Sequence, residues 1–121
     1  MEQKSIVLEK SFAFGLRIIK LGDLLLRDRA FVLADQVLRS GTGIDSNMEE
    51  ATAAVSRKEF IAKTAIAYKE ARETHYWLRL LRESDKIERR LADSLLSDCE
   101  EICKILSSII KTTRDNDATS S

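Results

Sequence analysis

Proline is absent from all 121 residues of this chain. Proline is the residue that most reliably ends or kinks a helix, so nothing of that kind interrupts one here. Glycine stands at four positions, which leaves few other intrinsic breaks. Apolar residues recur three and four apart rather than at every second position. These features predict an all-α chain folded as a single domain, an antiparallel up-and-down four-helix bundle. A charged fraction of 33% is enough to solvate the outer faces of such a bundle.

The first helix is predicted from about Lys4 to Leu26. Val7, Phe14, Ile18, Leu21 and Leu25 form one apolar line. Leu8, Phe12, Gly15, Ile19, Gly22 and Leu26 form a second beside it, so the stripe is wide. Gly15 and Gly22 face the same way and are read as places of close helix approach. The second helix is predicted from about Phe31 to Val55, running in phase through Gly41 and Gly43. Ala34, Val37, Leu38, Gly41, Ile44, Met48, Ala51 and Val55 are its inner face. Ser56 with Glu59 three later reads as a capping box, which starts a third helix over about 57–82. Asp85 with Glu88 reads as another cap before a fourth helix over about 87–112. The polar tail 115–121 is expected to fray.

The search for chemistry finds little. A di-iron bundle needs two Glu-x-x-His pairs, but His75 is the sole histidine and Arg72 stands three before it. Cys99 and Cys103 offer two thiolates on one helix, and zinc needs four ligands. They read as small core residues and point to a reducing cytoplasm. Gly41-Thr42-Gly43 lacks the spacing and lysine of a phosphate loop. No enzyme activity, cofactor or metal is expected. No stretch is apolar enough for a membrane span, and no signal peptide is apparent.

The formal net charge is zero, but the charge is unevenly spread. Residues 57–90 carry ten Lys/Arg against six Asp/Glu, whereas 91–121 carry three against six. On the third helix Lys58, Lys69, Arg72 and Arg79 share about a quarter of the circumference with Tyr76. Basic side chains beside an aromatic are a minimal nucleic-acid footprint. Arg39, Asn47 and Glu50 project to one side of the second helix, as expected of a helix–helix or subunit interface. Trp77 lies on a different side of the third helix, with Glu59, Lys63 and Glu70, which suggests a contact surface. Glu73 stands close to the basic stripe and is a further interface candidate.

Several stretches resemble the 23S rRNA intervening sequence proteins. Arg39-Ser40-Gly41-Thr42-Gly43-Ile44 and Asn47-Met48-Glu49-Glu50-Ala51 are similar to that family's second helix. Ser56-Arg57-Lys58-Glu59-Phe60-Ile61 and Ala71-Arg72-Glu73-Thr74-His75-Tyr76-Trp77-Leu78 are similar to its third, and Ser11-Phe12-Ala13-Phe14 to its first. The resemblance implies a four-helix bundle and a barrel-shaped homopentamer. It also implies kinship with the accessory variability proteins of diversity-generating retroelements. Those are basic pentamers that bind a reverse transcriptase and nucleic acid. Two features depart from the pattern. Asp45 stands where many relatives have proline, and the zero net charge is unlike the basic retroelement proteins.

Together these readings predict a non-enzymatic homo-oligomer, a pentamer by resemblance, in the bacterial cytoplasm. Its partners are itself and structured RNA or a ribonucleoprotein, met through Lys58, Lys69, Arg72 and Arg79. The alternative is a protein scaffold that uses Trp77 and the Arg39, Asn47 and Glu50 face. Pairing of Arg72 with Glu50 or Glu73 would favour the scaffold.

Overall fold

The computed structural model describes residues 2–120, with side chains through Asn116. Its four helices are α1 (Glu2–Arg27), α2 (Phe31–Thr52), α3 (Arg57–Glu83) and α4 (Arg89–Ser120). Each packs against its neighbours in sequence and α4 closes back on α1. The backbones of the diagonal pairs stay apart, though Lys4 Nζ of α1 reaches over the Phe60 ring of α3, 4.3 Å from its centroid. This is the antiparallel four-helix bundle, and joints of a few residues enforce it. Phe14, Ile18, Leu25, Ile44, Met48, Leu78, Leu81, Leu95, Ile102 and Leu106 fill the centre.

The joints differ from the expected ones in instructive ways. α1 closes with Ala30 N–H donating to Leu25 O (2.9 Å) and Arg29 N–H to Leu26 O (3.0 Å). Arg29 takes φ 61° to permit this. Asp85, expected to cap α4, instead ends α3 in the same manner. Its φ is 58°, and Lys86 N–H reaches Leu81 O at 3.0 Å. α4 therefore starts at Arg89 rather than 87, while Ile87 stays buried in the joint.

α2 stops at Thr52 rather than Val55, and Val55 is 94% exposed instead of facing inward. The cap of α3 is the cause. Ser56 Oγ accepts from Glu59 N–H (3.1 Å), and Glu59 Oε2 accepts from Val55 N–H (3.2 Å). A Val55 N–H held by that carboxylate no longer extends α2. At the other end, the tail expected to fray from Asp115 continues the helical backbone of α4 through Ser120. Neither glycine nor proline stands there to stop it.

Two polar pairs, one half-buried and one buried, tie α2 to its neighbours. Ser11 Oγ donates to Asp45 Oδ1 at 2.9 Å, and Thr74 Oγ1 donates to Ser40 Oγ at 2.9 Å. Asp45 thus binds α1 to α2. Gly41 lies directly against Ile18, and a Cβ added there would come within 2.7 Å of it. Gly22 is similarly tight against Leu38. Gly15 differs from the expectation, because nothing lies within 4 Å of where its Cβ would be.

The glycines therefore respond oppositely to alanine. Gly41→Ala overpacks a fully buried isoleucine and should lower stability by about 1–2 kcal/mol, net of improved helix propensity. Gly15→Ala should raise it by about 0.5–1 kcal/mol. Urea denaturation at equal chain concentration measures both; a stabilising Gly41→Ala would contradict this packing.

Candidate nucleic-acid interface

α3 buries Phe60, Thr64, Ala67, Ala71, Thr74, Leu78 and Leu81 between α2 and α4. At about 100° per residue, this inner face turns Lys58, Lys69 and Tyr76 outward. Arg72 and Arg79 lie further round, toward α4. All four cations are exposed, and none has a carboxylate within ion-pair distance among the described residues.

Several neighbouring cations on α2 and α3 are engaged. Arg39 bridges from α2 to Glu70 (3.3 Å) and to Glu73. Glu73 also accepts from Trp77 Nε1–H at 3.1 Å. The carboxylate nearest the stripe is therefore turned toward α2. Lys63 pairs with Glu50 at 2.7 Å, and that hydrogen bond raises its pKa. Arg82 holds Asp93 (3.0 Å) and Glu83 (2.7 Å), and its pKa is raised, chiefly by the hydrogen bond to Asp93. Such exposed pairs are each worth under about 1 kcal/mol, but they decide which charges remain open.

The predicted interface residues come together within the chain. Arg39, Glu73 and Trp77 form one network across the α2–α3 seam, and Glu50 joins that seam through Lys63. Asn47 does not join; its Nδ2 donates to Gly43 O of its own helix at 2.7 Å. Trp77 is half-buried and meets Tyr76 edge-on, ring centroids 5.1 Å apart. Arg72 pairs with neither Glu50 nor Glu73.

Sequence reasoning missed the seam on the other side of the stripe. Between α3 and α4 lies a groove of about 220 Å³ that includes His75, Arg79, Ser97 and Glu100. His75 Nε2 lies 3.3 Å from Glu100 Oε1, a partner that an unbroken α4 register could have suggested. The groove has room for a phosphate or sugar and is smaller than the roughly 300 Å³ of a typical small-molecule pocket. Cys99 is buried, and its Sγ–H donates to Ala71 O at 3.3 Å. Its contact with Cys103 and its burial push the thiol pKa up, which suits a packing residue. Among the described residues no three His, Cys, Asp or Glu side chains gather as a metal set, and no helix is long and apolar enough to cross a membrane.

The profile of the 23S rRNA-intervening sequence proteins matches residues 3–108. The chain belongs to that family. Among solved structures it is similar to a protein of unknown function from the S23 ribosomal protein family of Bacteroides thetaiotaomicron VPI-5482. The two are 45% identical, with a TM-score of 0.87 over 90% of this chain and 98% of the other. No curated protein matches significantly. For this 23S rRNA-intervening sequence family member, the match spans all four helices and so includes every residue of the α3 stripe.

Glu73→Ala should free Arg39 and remove the acceptor of Trp77 Nε1–H. The expected result is a stability change under about 1 kcal/mol together with a shifted tryptophan emission. An unchanged emission maximum would mean that Glu73 does not hold Trp77.

Proposed function

We propose that this protein is a non-enzymatic homo-oligomer, assembled as a homopentamer, that binds structured RNA or a ribonucleoprotein in the bacterial cytoplasm. The supporting observation is the state of its cations. Arg39, Lys63 and Arg82 are occupied by carboxylates, whereas Arg72 and Arg79 are exposed without one, and Arg79 lines the α3–α4 groove. A guanidinium free of a carboxylate is ready for a phosphate, which it can bind through two parallel hydrogen bonds. Lys58 and Lys69 continue the stripe.

The family is named for an intervening sequence of 23S rRNA, and a structured RNA is the polyanion we assign. Zero net charge gives no long-range attraction, so binding depends on a local patch repeated in every subunit. Contacts of this kind give affinity with little sequence reading. The scaffold alternative through Arg39, Glu50 and Glu73 has less support, because these residues already satisfy one another.

Binding of structured bacterial RNA across a salt titration tests this reading. The wild-type protein should bind with a steep salt dependence. Arg72→Gln with Arg79→Gln should weaken binding at least tenfold and reduce the slope of log K against log salt by about two. A slope and affinity unchanged in the double variant would remove α3 from the interface.

A further inference from the structure

The two ends of the bundle are closed unequally. Two of the three joints, 28–30 and 84–88, lie at one end, where Ile87 folds inward and is buried. The opposite end has only the 53–56 joint, together with the first turn of α1 and the later turns of α4. Val55 continues the apolar phase of α2 and stands where a plug for this end would be. It is 94% exposed instead, because Glu59 Oε2 holds its N–H at 3.2 Å. Behind it remains a cavity of about 420 Å³, walled by all four helices. Small-molecule sites run from roughly 300 to 1,000 Å³, a range this cavity reaches and the α3–α4 groove does not.

The cavity has two kinds of surface. Its floor is the end of the core, formed by Ala51, Phe60 and Ile109, each at most 8% exposed. Its rim is polar, and none of the described residues that line it is an Asp or Glu. Lys4 Nζ crosses the open end from α1 to lie 4.3 Å from the centroid of the Phe60 ring. An ammonium drawn to an aromatic face is held over the apolar floor rather than out in solvent. Arg57 also lines the rim and is engaged by an interaction of its own, so Lys4 is the cation that meets an incoming charge. Ser56 Oγ accepts from Glu59 N–H at 3.1 Å and keeps its own proton to donate. Thr112 and Asn116 bring a further hydroxyl and a side-chain amide from α4. The acid beside the joint, Glu59, is engaged by Val55 N–H.

We propose that this cavity binds a small monocarboxylate with an aromatic or branched apolar body. The body rests on Ala51, Phe60 and Ile109 and covers Val55 at the mouth. The head meets the Lys4 ammonium, with the Ser56 hydroxyl and the Asn116 amide as further donors. One ammonium among neutral donors matches a single negative charge, and a hydrogen bond between two ions is about twice as strong as a neutral one. A neutral ligand of the same shape keeps the apolar contacts and loses that bond. None of the cavity's lining residues belongs to the α3–α4 groove, so this binding is independent of the RNA contacts of the proposed function.

Ligand-observed fluorine NMR on the full chain tests the site, with para-fluorophenylacetate as the probe and para-fluorophenylacetamide as its neutral counterpart. The acid should bind saturably at millimolar concentration, and the amide about tenfold more weakly. Lys4→Gln should weaken the acid about tenfold and leave the amide unchanged. Val55→Asp covers the case in which Lys4→Gln fails to fold, because Val55 is almost wholly exposed and fills no part of the core. Its added charge at the mouth should weaken the acid about fivefold. No saturable binding of the acid to the wild type would overturn the proposal, as would equal affinity for acid and amide. A folded Lys4→Gln or Val55→Asp that binds the acid as the wild type does would place the ligand elsewhere and overturn it too.

Discussion

Ile18 rests directly on the backbone of Gly41, and this close crossing fixes how α1 is rotated on α2. A side chain at position 41 would push the helices apart. With Ile18 turned inward, Phe14, Leu21 and Leu25 follow it into the core. Phe12, Leu16 and Ile19 must then point outward, since one helix cannot bury its whole circumference against two neighbours. The same geometry acts on α3. Its inner face is consumed by α2 and α4, so Lys58, Lys69, Tyr76 and Leu80 face out. What the surface offers is thus a consequence of how the core is packed.

Charge is sorted on that surface although it sums to zero. The α2–α3 seam collects pairs of opposite sign, Arg39 with Glu70 and Glu73, and Lys63 with Glu50. α4 provides acids to three cations on two other helices, through Glu101 to Lys10 and Asp98 to Arg17 of α1 and Asp93 to Arg82 of α3. These pairs add little stability. Arg72 and Arg79 take part in none of them, and Arg79 lines the α3–α4 groove. The function proposed here depends on that residue of unpaired charge more than on any one strong interaction.

The fold was legible in the sequence because helical periodicity and the absence of proline leave few other solutions. The cap at Ser56 was legible as well, since serine and glutamate three apart encode its hydrogen bonds. The end of α2 was not. Val55 continues the apolar phase, but a side chain on the next helix takes its N–H. Asp85 was misread because a short polar residue serves equally before a helix and in the left-handed turn that closes one. Part of the outer surface was also hidden. Phe12 and Ile19 extend the apolar stripe of α1 whether its partner is the protomer's own core or another molecule. Periodicity shows that a face is apolar and not what covers it. Of the α3 site, the cations and their shared sector could be read directly. Which of them lack partners depends on Arg39 and Glu73 meeting across two helices, 34 positions apart in sequence.

The most direct measurement is ultraviolet cross-linking of the protein to structured bacterial RNA, with the linked peptides mapped by mass spectrometry. The account predicts that cross-links concentrate on the α3–α4 groove, at His75 and its neighbours beside Arg72 and Arg79. Cross-links confined to α1 and α2, with none on α3, would contradict it.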